Sequence, residues 1–123
     1  MPKISVVIPL YNKGFIISET LNSVLAQTFT DFEIVIVNDG STDNTLSIIR
    51  NNLDPRIKII INSNEKGYTK NFENALRCAS GDYFFLSDQD DVWLDGRVEK
   101  CIEELESSNF VMTDGYITDA KLN

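Results

Sequence analysis

Four short apolar runs recur along this chain, and none of them alternates strictly between apolar and polar residues. They occupy residues 4–9, 32–37, 57–61 and 83–86. Runs of this composition are typical of strands that are buried on both faces. Segments with apolar residues at helical spacing separate the runs, and strands that alternate with helices predict an α/β protein. We expect a three-layer α/β/α sandwich with a mainly parallel sheet.

Each of three longer predicted helices presents one apolar face to the core. The residues on these faces are Ile17, Leu21, Val24 and Leu25; Phe72, Ala75, Leu76 and Ala79; and Leu94, Val98, Cys101, Ile102 and Leu105. A shorter helix follows the second strand, and Thr42 or Asp43 is placed to cap it. Gly81 fits the end of the helix before the fourth strand. Residues 110–112 indicate the start of a fifth strand.

Composition excludes several classes of function. The chain has 123 residues, enough for one domain, and contains no histidine, which excludes Ser-His-Asp and Cys-His catalysis. Its net charge of -8 argues against general binding to nucleic acids or anionic membranes. Without an apolar segment long enough to span a bilayer, or a signal peptide, a cytoplasmic protein is expected. Cys78 and Cys101 have no metal or redox spacing and are predicted to be reduced core residues.

Polar residues follow each of the four predicted strands. They lie at Pro9 to Tyr11, at Asn38 and Asp39, at Asn64 to Gly67, and at Asp88 to Asp91. In parallel α/β sheets, ligands bind beyond the carboxyl ends of the strands. We therefore expect these segments to share one binding site.

The segment after the fourth run carries three carboxylates, Asp88, Asp90 and Asp91. Two carboxylates about 5 Å apart repel by roughly 3 kcal/mol at an effective dielectric constant of about 20. Because no Lys or Arg lies between Gly81 and Asp95, a bound cation is the simplest neutralising group. Oxygen ligands favour Mg²⁺ or Mn²⁺. The alternative is a solvated turn in which Asp90 or Asp91 caps the next helix.

Five separated motifs resemble one known family. Residues 4–12 read ISVVIPLYN, residues 33–42 read EIVIVNDGST, and residues 87–93 read SDQDDVW. The sequences QTF at 27–29 and ASGDY at 79–83 fit the same pattern. In this order, and over nearly the whole chain, they are similar to the inverting family 2 glycosyltransferases, which have the GT-A (nucleotide-diphospho-sugar transferase) fold. The resemblance implies that residues 1–123 are the N-terminal nucleotide-sugar-binding part of a GT-A domain.

The resemblance implies roles for individual residues. Asp39 would hydrogen-bond the pyrimidine of a nucleotide-sugar, although a turn residue in Asn-Asp-Gly is the alternative. Pro9 and Tyr11 would pack against the base and ribose. Asp88 and Asp90 match the Asp-x-Asp (DXD) pair, so that Asp88 would reach the ribose or the metal and Asp90 would coordinate the cation on the diphosphate. A divalent ion at that place neutralises the charge of the leaving group.

Four further residues have less specific roles. Asn64 and Gly67 fit an ordinary loop as well as a close approach to the diphosphate. Many family members carry an Arg-Asn pair in the helix that follows, whereas here Lys70 precedes that point. Lys70 either contacts a phosphate as a point charge or lies on a solvated helix face. Asp91 resembles the extra carboxylate that often follows the pair.

The implied activity is metal-dependent, inverting transfer of a sugar from a UDP- or dTDP-sugar to an acceptor hydroxyl. The acceptor would be a glycan or a lipid-linked glycan, and the setting bacterial surface polysaccharide biosynthesis, in the cytoplasm or peripherally at the inner face of the membrane. The catalytic base, acceptor pocket and last strands of the family lie after the matched region. A truncated chain with unknown catalytic residues is therefore expected.

Two other functions stay open. One is a nucleotide-binding fragment without turnover. The other is an NAD-dependent Rossmann oxidoreductase, although residues 9–14 lack its glycine-rich fingerprint. A truncated sheet would also leave an unpaired edge, which predicts a homodimer.

Overall fold

Strands and helices alternate throughout the computed structural model, which describes residues 3–12, 14, 16–38, 44–52, 54–61, 68–88 and 91–112. The strands in these ranges are β1 (Ile4–Leu10), β2 (Phe32–Asn38), β3 (Ile57–Ile61) and β4 (Tyr83–Leu86). The helices are α1 (Ile17–Leu25), α2 (Thr45–Arg50), α3 (Tyr68–Cys78) and α4 (Arg97–Leu105). The apolar runs therefore predicted these four strands nearly to the residue.

The four strands form one parallel sheet in the order β3-β2-β1-β4. Val7 in the central strand β1 lies opposite Val35 on one side and opposite Leu86 on the other. The chain runs outward from β1 to β3 and then returns to the far side of β1 to form β4. The strand order consequently reverses between β1 and β4.

Helices cover both faces of the sheet and give it three layers. One face packs against α1, α2 and α4, and Ile8, Leu21, Ile36 and Val98 belong to the core between them. The other face packs against α3 through Ala75 and the β1 and β2 valines. The predicted three-layer α/β architecture is confirmed.

A buried carboxylate, Glu33, organises the edge of the sheet where the strands begin. Its Oε2 accepts hydrogen bonds from Ser5 Oγ at 2.5 Å and from the Ser80 backbone N–H and Oγ at 2.7 and 2.8 Å. Its Oε1 lies 2.6 Å from Lys58 Nζ. Burial acts to raise the pKa of Glu33, but the donors from Lys58, Ser5 and Ser80 outweigh it and lower the pKa from 4.5 to about 2. This cluster ties together β1, β2, β3 and the segment entering β4.

Burial of β4 on both faces was predicted, and this was wrong. Phe85 is buried, whereas Phe84 and Leu86 are 50% and 53% exposed. In the described sheet, β4 is the outermost strand on the side of β1, and α3 packs over β1 and β2. One face of β4 therefore stays exposed.

One local expectation at a helix end was also wrong, and another falls outside the described ranges. Helix α3 ends at Cys78, and Gly81 lies against β1, where an added Cβ would be 2.7 Å from the backbone carbonyl carbon of Ile4. Gly81 is therefore required by close backbone packing rather than by the helix end. Helix α2 has Asn44 at its N-cap position, and residues 42 and 43 lie outside the described ranges.

The chain after β4 differs from expectation in two places. Leu94, predicted on the inner face of the last helix, is exposed and precedes α4. Residues 110–112 do not form a strand, and Phe110 and Met112 are strongly exposed. Both cysteines are free as expected, but only Cys101 is buried, and Cys78 is exposed because it lies at the end of α3. Of the helices in the described ranges, none combines the length and apolar character needed to cross a membrane.

Candidate functional site

The carboxyl ends of the strands meet at the edge of the sheet opposite Glu33. Ligands of open α/β sheets bind at this edge, where the strand order reverses. That point lies between β1 and β4. The backbone N–H of Ser87 donates to the carbonyl oxygen of Val7 at 3.1 Å, so the chain leaves β4 directly beside β1. The predicted site residues Pro9 and Asp88 are therefore brought to neighbouring strand ends.

The loop after β1 is held close to the start of α2. Pro9 is buried, and Tyr11 is half exposed. Asn12 has a φ of 48°, a left-handed conformation that asparagine adopts more readily than most residues. At Gly14 an added Cβ would overlap the side-chain oxygen of Asn44, so only glycine fits there without movement.

The acidic segment after β4 is anchored by a buried hydroxyl. Ser87 is buried; its Oγ accepts the Trp93 indole N–H at 3.1 Å and donates to the Asp88 carbonyl oxygen at 3.1 Å. The Asp91 backbone N–H approaches the same carbonyl at 3.4 Å. Asp88 and Asp91 are both exposed. The segment therefore turns back toward Trp93 while its two described carboxylates stay accessible.

A positive charge lies nearer to this segment than the sequence suggested. The Arg97 guanidinium stacks over the Trp93 ring, 4.2 Å from its centroid. Burial lowers the pKa of Arg97, while the nearby Cys101 and Asp91 act to raise it. Arg97 lies just beyond the range from Gly81 to Asp95 that contains no Lys or Arg, and at the start of α4 it is close enough to Asp91 to interact with its charge.

The remaining predicted site residues fall on other elements or outside the described ranges. Lys70 lies in the first turn of α3, is half exposed and pairs with Glu73 at 3.4 Å, so it already has a partner on its own helix. Four predicted site residues lie outside the described ranges: Asp39, Asn64, Gly67 and Asp90.

The donor atoms of the acidic segment suit a hard divalent cation. Within the described residues, no three His, Cys, Asp or Glu side chains form a group that could hold a metal ion. Asp88 and Asp91 supply two carboxylates, and Asp90 stands between them in sequence. Mg²⁺ and Mn²⁺ take few protein carboxylates and complete their coordination with phosphate oxygens and water. The residues present therefore fit such an ion.

A parallel α/β sheet with carboxylates at the reversal of its strand order is typical of enzymes that bind nucleotides. The family model described as glycosyl transferase family 2 matches residues 5–122. The chain therefore belongs to glycosyl transferase family 2.

Relatives with curated names support this assignment. An uncharacterized glycosyltransferase of Haemophilus influenzae is 38% identical over 116 residues, which cover 93% of this chain and 36% of the relative. The UDP-Glc:alpha-D-GlcNAc-diphosphoundecaprenol beta-1,3-glucosyltransferase WfgD of Escherichia coli is 34% identical, over 86% of this chain and 42% of its own. The chain thus spans less than half the length of these relatives.

Solved structures agree with the fold. TarS of S. aureus, residues 1–349 in complex with UDP-GlcNAc, is 32% identical with a TM-score of 0.78, and the match covers 85% of this chain and 31% of that 1–349 chain. The mannosyltransferase PcManGT of Pyrobaculum calidifontis in complex with GDP-Man and Mn²⁺ is 28% identical with a TM-score of 0.69, over 75% of this chain and 28% of its own. The predicted GT-A type of fold is confirmed.

Proposed function

We propose that residues 1–123 form the nucleotide-sugar-binding part of an inverting, metal-dependent glycosyltransferase. One observation carries the proposal: the Asp88 segment leaves the sheet at the reversal of strand order, in a fold shared with a TarS structure that holds UDP-GlcNAc. The donor is a UDP- or dTDP-sugar.

The donor is held by residues at the strand ends. Pro9 and Tyr11 pack against the base and ribose, and Tyr11 is half exposed. Asp39 hydrogen-bonds the pyrimidine; it follows β2 directly in the sequence, and Asn38, the last residue of β2, pairs with Leu10 at the end of β1. Asn64 and Gly67, which precede α3, approach the diphosphate.

The diphosphate is neutralised by a metal ion and by a cationic side chain. Asp88 and Asp90 hold Mg²⁺ or Mn²⁺, and the Mn²⁺ in the complex of the mannosyltransferase PcManGT supports this choice. The ion supplies charge neutralisation for the diphosphate leaving group. Lys70 contacts a phosphate after exchanging its partner Glu73, which costs little because an exposed ion pair contributes about 0 to 1 kcal/mol.

The complete enzyme transfers the sugar by direct displacement. An acceptor hydroxyl attacks the anomeric carbon while a carboxylate removes its proton, and the nucleoside diphosphate departs. The acceptor is a glycan or lipid-linked glycan of bacterial surface polysaccharide biosynthesis, which the name of the E. coli relative supports. The protein acts in the cytoplasm or at the inner face of the membrane. The base is not assigned to a residue of this chain.

Binding without turnover is the second candidate function for the chain by itself. It is favoured by the coverage of the relatives, of which the chain spans 36% and 42%. A donor-hydrolysis assay separates it from a complete transferase.

The chain also self-associates through β4. Phe84 and Leu86 expose about half of their surface on one face of the strand, and within the described sheet β4 pairs with β1 alone. Exposed strand edges recruit other chains, and a two-fold dimer is the simplest result.

Calorimetric titration of the 123-residue chain with UDP, dTDP, GDP and AMP, each with and without Mn²⁺, tests the donor assignment. We expect the pyrimidine diphosphates to bind more tightly than the purines, with an increase in affinity on adding Mn²⁺. Equal binding of all four nucleotides, or no effect of Mn²⁺, contradicts the proposal.

A further inference from the structure

Gln27, two residues after the end of α1, makes contacts that the proposed donor site does not require. Its side chain is buried, with 4% of its surface exposed. Its Nε2 donates to the Leu94 carbonyl oxygen at 2.9 Å, and its Oε1 accepts the Val98 backbone N–H at 3.2 Å. One side chain just after α1 therefore satisfies two backbone groups that lie 67 and 71 positions later.

The contact with Val98 replaces a missing helix cap. Helix α4 begins at Arg97, its N-cap residue is Gly96, and no side chain at that N-cap bonds to the helix. The first backbone N–H groups of a helix need partners from outside it. Gln27 supplies one of them, so the start of α4 is fixed to the end of α1.

A second contact, from Ser23 in α1, fixes the same segment at Trp93, one residue before Leu94. Ser23 Oγ accepts the Trp93 backbone N–H at 2.9 Å and donates to the Thr20 carbonyl oxygen at 2.7 Å. The Trp93 indole in turn donates to Ser87 at the end of β4. The stretch with Asp88 and Asp91 is thereby closed at both ends by buried hydrogen bonds, with Ser87 at one end and Gln27 at the other.

We infer that Gln27 is a positioning residue for the metal-binding carboxylates of this segment, an inference that rests on the proposed function. Neighbouring carboxylates repel one another, so they stay close only where the backbone that carries them is fixed. Partners that hydrogen-bond metal ligands typically change metal affinity by about 10- to 100-fold when they are mutated, and we expect a group that acts through the backbone to lie at the lower end of this range. Gln27 acts through the backbone at Leu94 and Val98 and does not touch the ligands.

The test measures UDP binding to the 123-residue chain across a Mn²⁺ concentration series. Gln27→Met keeps the length of the side chain and removes its hydrogen bonds to Leu94 and Val98, together with a third to the Ser23 carbonyl oxygen within its own segment. We expect it to raise the Mn²⁺ concentration at half-maximal UDP binding by about 10-fold, while UDP affinity at saturating Mn²⁺ stays near that of the wild type. Ser23→Ala, which leaves the Trp93 N–H without its acceptor, should act in the same direction and serves if Gln27→Met does not fold.

Ser5→Ala is the matched control for a loss of stability alone. Ser5 is buried and also makes two hydrogen bonds, to Glu33 and from the Gly81 N–H, but at the opposite edge of the sheet. We expect it to lower the melting temperature and leave the Mn²⁺ requirement unchanged. An unchanged Mn²⁺ requirement in Gln27→Met, or an equal rise in Ser5→Ala, overturns the inference. A wild type that needs no Mn²⁺ overturns the proposed metal dependence instead.

Discussion

The carboxylate of Glu33 lies 2.6 Å from the ammonium group of Lys58 on the neighbouring strand, and the Glu33 side chain is only 6% exposed. Together with Ser5 and Ser80, this contact joins three strands and the start of the fourth at the edge opposite the candidate site. The same contact makes the stability of the sheet depend on pH.

The first prediction concerns that pH dependence. Because the pKa of Glu33 is lowered from 4.5 to about 2 in the folded chain, its stabilising effect is complete above the unfolded value and is lost as the pH falls through this range. The shift corresponds to on the order of 3 kcal/mol. Urea unfolding from pH 6 to pH 2 should therefore show a smaller loss of free energy of unfolding in Glu33→Gln than in the wild type.

Asp54→Asn is the control for this experiment. The pKa of Asp54 is also lowered to about 2, chiefly by hydrogen bonds from Arg56, so that part of any acid sensitivity comes from it. If Glu33→Gln keeps the full pH dependence and Asp54→Asn removes it, the buried cluster is not its source.

The second prediction concerns Gly81 and Gly96, two positions that require glycine for different physical reasons. Gly81→Ala places a Cβ 2.7 Å from the backbone of Ile4 and Ser5, which must move apart from it. Overpacking of this kind costs about 1 to 3 kcal/mol. Gly96→Ala meets no atom within 4 Å, but Gly96 has a φ of 77°, which costs other residues about 1 kcal/mol. Chemical denaturation should rank Gly81→Ala as the more destabilising change, and the reverse order would contradict the close packing of Gly81 on β1.

The third prediction distinguishes the carboxylates of the acidic segment. Asp90→Asn should abolish Mn²⁺-dependent binding of UDP or dTDP, whereas Asp91→Asn should weaken it less. The physical reason is that Arg97 lies close enough to Asp91 to interact with its charge, so Asp91 depends less on a metal ion for neutralisation. Calorimetry with and without Mn²⁺ measures both effects. Equal affinity of the wild type and Asp90→Asn would contradict the assignment of Asp90 as a metal ligand.

The fourth prediction concerns Asp39. Asp39→Ala should reduce affinity for the nucleotide with little change in melting temperature, since a carboxylate that contacts a ligand contributes little to the core. A residue that caps or closes a turn would instead cost about 1 kcal/mol of stability. Thermal melting and nucleotide titration of the same preparation decide between the two roles. A clear drop in melting temperature with unchanged affinity would support the turn.

The fifth prediction concerns self-association. Light scattering over a concentration series should detect a dimer of the 123-residue chain, and the double variant Phe84→Lys, Leu86→Glu should be monomeric because it places charges on the exposed face of β4. Phe110→Ser is a suitable control, since Phe110 is also strongly exposed but lies outside the sheet. A monomeric wild type at all concentrations argues against the interface.

Part of the candidate site could be predicted from the sequence. The polar residues after each apolar run identified Pro9, Tyr11 and Asp88 as strand-end residues, because a parallel sheet places all its carboxyl ends at one edge. Arg97 was missed because its effect on Asp91 depends on where α4 begins. Gln27 was noted only as part of a motif, since its partners Leu94 and Val98 are far away in the sequence.

The sequence by itself determined the strands, the helices and the α/β class of this protein. The spacing of apolar residues along the chain is a local pattern, and it is enough to distinguish a strand from a helix. The tertiary structure alone decided the order β3-β2-β1-β4, which makes β4 exposed on one face and puts the reversal beside β1. It also decided that Glu33, in the middle of an apolar run, is ionised, because its donors come from β1, β3 and the segment before β4. Pairings between distant residues depend on packing energies summed over the whole sheet, and no local pattern contains them.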